Sequence, residues 1–444
     1  MNQAFLDYYR CPDNFGAFRL AEGEPNGHRP GYFQFGCDLI CYGAGGVQGE
    51  NNADDLLADA LCRVRFEAST CVLPFNPTEI ANNLRYERYI NGAHKSPWKK
   101  LLRGAYYFLR PAMPVSVRRH LQRASLNGWK ERPFPRWPVD GTVDQLFKKL
   151  MGLTLHASRQ ARIPFIWFWP ERKSSCVIVT HDVETISGLE SAAELMDIND
   201  SFGIKTSFQF IPEARYAVTN EVLSTIRERG FEVNVHDLKH DGHLFEDHGQ
   251  FLQSAARINA HARRFGSHGF RSGALYRNQN WYGAFSFSYD MSVPNVGHLD
   301  PQAGGCCTVM PYFVGDVLEL PVTTTQDYSL FNILGTYSLD LWREQIRQII
   351  GQNGLISFIV HPDYLDSTKA KNTYAGLLRH LVELRSASGL WIALPGEVDI
   401  WWRQRNKMKL VQDGARWHVE GEGAERAVVA YATLLNDTIS YSLN

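Results

Sequence analysis

The feature that most constrains this chain is a regular alternation of apolar runs and helical stretches between about residues 173 and 403. The apolar runs are short and rich in β-branched or aromatic residues, which is typical of buried strands. The alternation predicts a parallel sheet with crossover helices, and the number of runs indicates a closed or nearly closed barrel. The expected strands are 176–180, 206–211, 231–235, 269–271, 289–293, 317–322, 355–360 and 390–394, and the expected helices include 188–202, 220–229, 251–265, 339–352 and 369–386.

Acidic and histidine side chains follow several of these runs, at the point where each run ends. Asp182 and Glu184 follow the first run and are two residues apart, so both carboxylates point to one side of an extended chain. His236 and His240 follow the third run and are four residues apart, the spacing of one face of a helical turn. Functional residues of such barrels lie at the carboxyl ends of the strands. We therefore expect these side chains to meet.

Two neutral imidazoles and one carboxylate form a three-ligand set that leaves a metal position open, as in hydrolytic zinc sites. The pattern predicts a divalent metal, zinc before other first-row ions, held by Glu184, His236 and His240. Asp182 is then free to act as a base. His361 follows the seventh run, and an ordinary histidine pKa near 6.5 suits an acid that protonates a leaving amine.

Four motifs in this order resemble those of the NodB-type polysaccharide deacetylases, the carbohydrate esterase family 4. The acidic pair and the histidine pair are similar to the first two motifs. Gly269-Phe-Arg271-Ser-Gly is similar to the arginine motif, and Ile359-Val-His361-Pro is similar to the last, histidine-bearing motif. The resemblance covers about half of the chain. It implies a distorted (β/α) barrel and a metal-dependent carbohydrate deacetylase in which Arg271 orients the catalytic aspartate and lowers its pKa.

The first motif departs from the commonest family pattern, and the departure leaves alternatives open. That pattern has two adjacent aspartates, the first a base and the second a ligand, whereas residue 183 is a valine here. Glu184 must therefore supply the second carboxylate, in a D-x-E variant. Asp182 and Glu184 could exchange roles, or Glu184 could point away and leave the site poor in metal.

The loop after Arg271 also departs from the family. The family motif continues with prolines, whereas this chain continues Ser-Gly-Ala-Leu-Tyr276. Tyr276 and Asp327 are the predicted substrate-binding residues. Asp327 could instead tune His361.

Three domains are predicted from the pattern, because 444 residues exceed what one hydrophobic core usually holds. Residues 1–163 are an N-terminal accessory α+β domain, 164–405 the barrel, and 406–444 a small C-terminal β region. Segments 31–36 and 38–43 alternate like a hairpin. A helix is expected from about residue 77 to residue 89, with Thr78 as its cap.

One segment of the N-terminal region is both basic and aromatic. Residues 88–130 contain ten Lys or Arg and no acidic residue. This segment could lie on an anionic membrane surface as a peripheral contact, or hold a carrier-linked saccharide. The alternative is a helix with its basic face in water, which Pro111 and Pro114 favour by interrupting a long amphipathic helix.

Composition excludes several classes of protein. The net charge of -1 argues against nucleic acid as an obligate partner. No run of 18 apolar residues indicates a membrane span, and the first residues do not resemble a secretory signal. The eight cysteines lack CxxC pairs and indicate reduced thiols, so a cytoplasmic location is expected.

These observations together predict removal of an acetyl group from an N-acetylated sugar or glycan intermediate, or less directly from an O-acetylated one. A barrel that binds glycans without turnover is one alternative. An amidohydrolase or deformylase acting on a small or lipid-linked aminosugar is another.

Overall fold

The structure is a computed structural model that describes residues 1–16, 18–21, 30–90, 126 and 128–443. The predicted α/β class with a distorted barrel is confirmed. The helices in the described residues are α1 (Gln3–Tyr9), α2 (Pro77–Arg85), α3 (Thr142–Ser158), α4 (Ile186–Glu190), α5 (Ala192–Ser201), α6 (Asn220–Glu228), α7 (His248–Phe265), α8 (Asp340–Ile350), α9 (Thr368–Ser388) and α10 (Pro395–Lys407). The strands are β1 (Phe18–Leu20), β2 (Gly31–Gln34), β3 (Ile40–Gly43), β4 (Arg65–Glu67), β5 (Thr70–Leu73), β6 (Ile163–Ile166), β7 (Cys176–Val183), β8 (Ser207–Phe210), β9 (Glu232–His236), β10 (Gly269–Arg271), β11 (Tyr289–Asp290), β12 (Tyr312–Val314), β13 (Val317–Glu319), β14 (Leu355–Ile359), β15 (Trp391–Ile392), β16 (Lys409–Asp413), β17 (Arg416–Glu420), β18 (Val429–Leu435) and β19 (Thr438–Leu443).

The barrel is one sheet in the order β12-β13-β11-β10-β9-β8-β7-β14, with β15 paired to the start of β7. Its strand pairs are parallel except β12 with β13. Within the part of the chain that the structure describes, the paired strands do not form a closed ring. The free edge of β14 is met by the segment after β13, where the Thr324 backbone N–H donates to Ser357 O at 3.3 Å. The predicted barrel is therefore nearly closed.

Each predicted strand and helix of the barrel is present, with ends that differ by a few residues. Strand β7 could be predicted from its apolar run because all eight of its residues are buried. Val177 and Val179 pack against the surrounding helices, while Thr180 and Asp182 point to the other side. One expected helix, 188–202, is two helices that meet at Ser191.

The N-terminal region contains the expected hairpin, β2 with β3, and the expected helix α2. The predicted cap is wrong. Asn76, rather than Thr78, caps α2, because Asn76 Oδ1 accepts from the backbone N–H groups of Thr78 and Glu79 at 3.1 and 3.4 Å. Pro77 occupies the first turn, where its missing N–H costs nothing.

The C-terminal region is a β structure, as predicted, but it joins the rest of the chain. Strand β18 pairs with β19 and also, antiparallel, with β6. One buried cluster includes Phe147, Trp169 and Ala430, which come from the three predicted domains. The division at residues 163 and 405 stays a prediction.

Most of the basic and aromatic segment 88–130 lies outside the described residues, so its predicted contacts stay untested. Among the described residues, no helix combines the length and apolar character that a membrane crossing requires.

Candidate metal and acid-base site

The site begins at the carboxyl end of β7. Asp182 lies in the last part of this strand and Glu184 follows it directly, so the two alternate positions face the same end of the barrel. Asp182 Oδ2 lies 3.9 Å from His236 Nε2, and Glu184 Oε1 lies 3.0 Å from His240 Nε2. Each carboxylate therefore has its own imidazole neighbour.

The histidine pair does not lie on a helical turn, so that prediction is wrong. His236 is the last residue of β9 and His240 follows it in a loop. Asp237 and His240 have left-handed backbone conformations, with φ of 56° and 54°, which turn the loop back on itself. The two rings still meet, with centroids 4.8 Å apart. A tight loop, rather than the predicted helical turn, brings the two imidazole rings together.

The tautomer of His236 is set by the neighbouring strand. His236 Nδ1 lies 3.1 Å from the backbone oxygen of Arg271, and because a carbonyl only accepts, Nδ1 carries the proton. Nε2 then has a free lone pair, and it is buried without a hydrogen-bond partner among the described residues. Burial lowers the pKa of His236, which favours this neutral form. A buried imidazole with an unused lone pair is available to bind a metal ion.

Glu184, His236 and His240 form the donor group. One ligand atom of each lies within 4.8 Å of the others. Burial alone would raise the pKa of Glu184 and lower that of His240, but their mutual attraction outweighs burial and shifts each pKa the other way. A cation between Glu184 and His240 would replace the proton of His240 that faces the Glu184 carboxylate. Two imidazoles and a carboxylate are ligands that zinc accepts, so these residues fit a divalent metal.

Asp182 is held by the buried guanidinium of Arg271. Arg271 Nη2 donates to Thr180 Oγ1 at 3.0 Å, and Nη1 lies 3.5 Å from Asp182 Oδ2. Burial alone would raise the pKa of Asp182, but the surrounding positive charges, that of Arg271 first, outweigh burial and lower the pKa. Asp182 Oδ1 has no hydrogen-bond partner among the described residues. An ionised carboxylate with one unengaged oxygen is able to accept a proton.

His361 follows β14 and is bound by Asp327 through both the ring and the backbone. His361 Nδ1 lies 2.7 Å from Asp327 Oδ1, and the His361 backbone N–H donates to Asp327 Oδ2 at 2.8 Å. Burial alone would lower the pKa of His361, but the Asp327 carboxylate outweighs it and raises the pKa to about 10. The expectation of an ordinary pKa near 6.5 is wrong for this environment. The raised pKa favours the protonated form of His361 at neutral pH, and its Nε2 lies 3.7 Å from Glu184 Oε1.

The two predicted substrate-binding residues lie in different surroundings. Asp327 is fully buried, and its oxygens accept from His361 and from the backbone of Tyr328. This geometry favours the second role predicted for Asp327, the tuning of His361. Tyr276 follows the turn Gly273–Leu275 and is 6% exposed. Its contact with a substrate stays a prediction.

Two residues that support the site were not singled out from the sequence. Asp363 Oδ2 accepts from the Glu184 backbone N–H at 3.1 Å, and the Thr185 hydroxyl donates to Asp363 Oδ1. Arg215 Nη2 donates to the backbone oxygen of His240 at 2.8 Å. Asp363 lies two residues after His361, and that acidic neighbour was a usable signal. Nothing in the local sequence marks Arg215.

No family model and no curated protein sequence matches the chain. Similar solved structures include a protein of Mycobacterium smegmatis described as a polysaccharide deacetylase, with 17% identity and a TM-score of 0.44 over 56% of this chain and 98% of that one. Peptidoglycan deacetylase PdaC from Bacillus subtilis has 10% identity and a TM-score of 0.34 over 53% and 95% of the two chains. A family 4 acetyl xylan esterase from Clostridium thermocellum, in complex with a cobalt ion, has 14% identity and a TM-score of 0.34 over 51% and 91%. The similar structures thus include proteins of the class that the sequence motifs resemble.

Proposed function

We propose that this chain is a metal-dependent hydrolase that removes the acetyl group from an N-acetylated sugar. The observation that supports the proposal is one cluster at the barrel end in which two carboxylates, three imidazoles and a guanidinium lie together. Asp182 has an unengaged oxygen, and the donors Glu184, His236 and His240 lie beside it. His361 faces Glu184. A module that only binds glycans does not require this combination.

The division of roles follows from charge and position. A bound divalent metal would lower the pKa of a water molecule and polarise the acetyl carbonyl. Asp182, kept ionised by Arg271, accepts the proton of the attacking water. As the new C–O bond forms and the C–N bond breaks, His361 donates its Nε2 proton to the leaving amine. Asp327 keeps His361 protonated until that step.

The same geometry bears on the exchange of roles between the two carboxylates. Glu184 belongs to the donor group with both histidines, whereas Asp182 is engaged with Arg271. An arginine at a ligand carboxylate would compete with the metal for its charge. These contacts favour Glu184 as the ligand and Asp182 as the base. The substrate class rests on the sequence motifs, because the donor group alone would serve several C–N hydrolases.

The ligand set is tested by elemental analysis of purified protein. About one zinc-like ion per chain is expected, and His236→Ala should lose it. His268→Ala is the matched control, since His268 is an exposed histidine outside the cluster. Full metal content in His236→Ala would remove the proposed ligand set.

The reaction is tested by acetate release from a panel of N-acetylhexosamine monomers and oligomers. Metal-loaded wild type should release acetate, and Asp182→Asn should reduce kcat by about a hundredfold or more while keeping its metal. Equal kcat in Asp182→Asn would show that Asp182 is not the base. No acetate from any member of the panel would contradict the deacetylase proposal itself.

A further inference from the structure

The loop that follows the arginine motif, residues 272–277, begins beside a proposed metal ligand. We call it the arginine loop. A β-carbon at Gly273 would lie 3.0 Å from His240 Cδ2. The Gly273 backbone N–H donates to Asp237 Oδ2 at 3.1 Å. The first half of the loop, residues 272–273, is therefore held by the barrel and by the loop that carries the histidine pair.

The second half of the arginine loop, residues 274–277, approaches the proposed acid. Leu275 packs with Val322 and Ile359 in a buried cluster. Ile359 is the last residue of β14 and lies two residues before His361. The arginine loop therefore reaches from a proposed metal ligand to the neighbourhood of the proposed acid. Its second half also carries the predicted substrate-binding tyrosine.

The backbone of this second half is one that its own residues do not favour. Ala274 and Leu275 both have left-handed conformations, each with φ of 53°. Two consecutive non-glycine residues in this conformation are strained, and such a backbone persists only where the surrounding contacts hold it. One contact comes from Arg277, whose Nη1 donates to the Leu275 backbone oxygen at 2.8 Å. The position of the Arg277 guanidinium is therefore tied to the shape of the loop.

That guanidinium is fixed by a carboxylate from the N-terminal region. Arg277 Nε donates to Glu87 Oε2 at 2.7 Å, and Arg277 Nη2 donates to Glu87 Oε1. The two side chains are 1% and 7% exposed, so the pair is buried. Glu87 Oε1 also accepts from the Gly305 backbone N–H at 2.6 Å. A buried bidentate pair has a defined geometry, and removal of one partner leaves an unpaired buried charge.

Glu87 is itself held in place for this contact. It follows the end of α2 by two residues and has a left-handed conformation, with φ of 55°. The Tyr89 hydroxyl donates to the Gly305 backbone oxygen at 2.7 Å. Gln279 Nε2 donates to the Arg85 backbone oxygen at 2.9 Å. The chain is therefore bonded to the barrel on both sides of Glu87.

We propose that Glu87 is a positioning residue for the active site, and that through Arg277 it holds the second half of the arginine loop in the shape that receives the substrate. The inference rests on the proposed function and extends it, because it makes the N-terminal region a part of the catalytic unit. The metal ligands and the first half of the loop do not bond to Glu87. Loss of the ion pair should therefore weaken substrate binding and leave the metal in place.

Kinetics of the metal-loaded protein test this division of the loop. Glu87→Gln keeps the shape of the side chain without its charge. It should raise KM for the β-1,4-linked trimer of N-acetylglucosamine roughly tenfold, change kcat by less than about threefold and keep its zinc. Glu67→Gln, which breaks an exposed ion pair with Arg19 in the same region, is the matched control and should behave as wild type. A wild-type KM in Glu87→Gln, or loss of its zinc, would overturn the proposal.

A double variant keeps the test independent of the buried unpaired charge. Glu87→Gln/Arg277→Gln removes both charges together, so it should fold even where a single variant is unstable. Because the two residues act as one unit, its KM should rise no more than in Glu87→Gln or Arg277→Gln alone. A rise equal to the product of the two single effects would mean that Glu87 does not act through Arg277. A wild-type KM in the double variant would also overturn the proposal.

Hydrogen exchange separates failure of the positioning role from failure of the proposed reaction, because it requires no substrate. Backbone amides of residues 274–279 should exchange at least about tenfold faster in Glu87→Gln than in wild type, and those of β14 should not. If wild type releases no acetate and exchange at 274–279 still rises, the deacetylase proposal fails and the positioning role stands. If acetate is released and the exchange rates are equal, the positioning role fails alone.

Discussion

His361 and Asp327 form a buried ion pair in which one carboxylate binds both the ring and the backbone of the histidine, at 2.7 and 2.8 Å. Two contacts from one carboxylate fix the position of the ring and its charge together. The free Nε2 of His361 therefore points away from Asp327, towards Glu184. In the proposed reaction, His361 is therefore an acid whose raised pKa keeps it charged at neutral pH.

Asp327→Asn should weaken that acid. Without the carboxylate, burial lowers the pKa of His361 from about 10 and the ring loses its proton near neutral pH. The alkaline limb of the kcat profile should move to lower pH, and kcat at pH 8 should fall about a hundredfold. The pH profile of acetate release measures both. Asp316→Asn, an exposed carboxyl, is the control. An unchanged alkaline limb would show that His361 is not the titrating acid.

Arg271 should instead affect the acid limb of the pH profile of kcat/KM. Because the charge of Arg271 lowers the pKa of Asp182, Arg271→Met should raise that pKa and move the acid limb of kcat/KM to higher pH. Arg271→Lys keeps a positive charge but loses the planar fork that also bonds Thr180. It should move the limb less. If the two variants shift the limb equally, the charge of Arg271 does not set the ionisation of Asp182.

The barrel, and the meeting of the candidate site residues at one end of it, could be predicted because both depend on local pattern. Strand β7 is a buried apolar run, and the ends of parallel strands bring Asp182, His236 and His361 to one place. The charge of His361 could not be predicted, because it depends on a residue 34 positions away. The pairing of β6 with β18 could not be predicted for the same reason, since it joins segments more than 250 residues apart.

The predicted helical turn for His236 and His240 was wrong for a different reason. A spacing of four is common to a helical turn and to a tight loop, and only the left-handed conformations of Asp237 and His240 distinguish the two. Non-glycine residues rarely adopt that conformation, so local propensity argues against it. The surrounding contacts outweigh that preference. Asp237 Oδ2 accepts from the Gly273 backbone N–H at 3.1 Å, and Arg215 bonds the oxygen of His240.

The loop leads to a prediction at Gly273. A β-carbon at this position would lie 2.4 Å from Asp237 Oδ2 and 3.0 Å from His240 Cδ2. Gly273→Ala should therefore displace the His240 loop and weaken metal binding roughly ten- to a hundredfold. Gly283→Ala is the control, because a β-carbon there meets nothing within 4 Å. Zinc affinity, measured by competition with a chelator, checks the difference. Equal affinity in the two variants would mean that the loop yields without moving the ligand.

His181, next to the proposed base, should make stability depend on pH. Its Nδ1 lies 2.9 Å from the backbone oxygen of Val360, so Nδ1 carries the proton, and Nε2 lies 3.2 Å from the Asn199 amide that donates to it. Burial lowers the pKa of His181 to about 4. Because the unfolded chain has the ordinary pKa of about 6.5, it binds more protons than the folded chain between these values. Stability is therefore full above pH 6.5 and falls by about 3 kcal/mol as the pH drops towards 4.

His181→Gln removes this titration while keeping a polar side chain. Urea unfolding at pH 7 and at pH 4.5 should show a smaller loss of unfolding free energy in His181→Gln than in wild type. His268→Gln, at an exposed histidine, should show the wild-type loss. Other groups titrate in the same interval, but they are common to all three proteins and cancel in the comparison. An equal loss in His181→Gln and His268→Gln would mean that His181 is already charged, or solvated, in the folded protein.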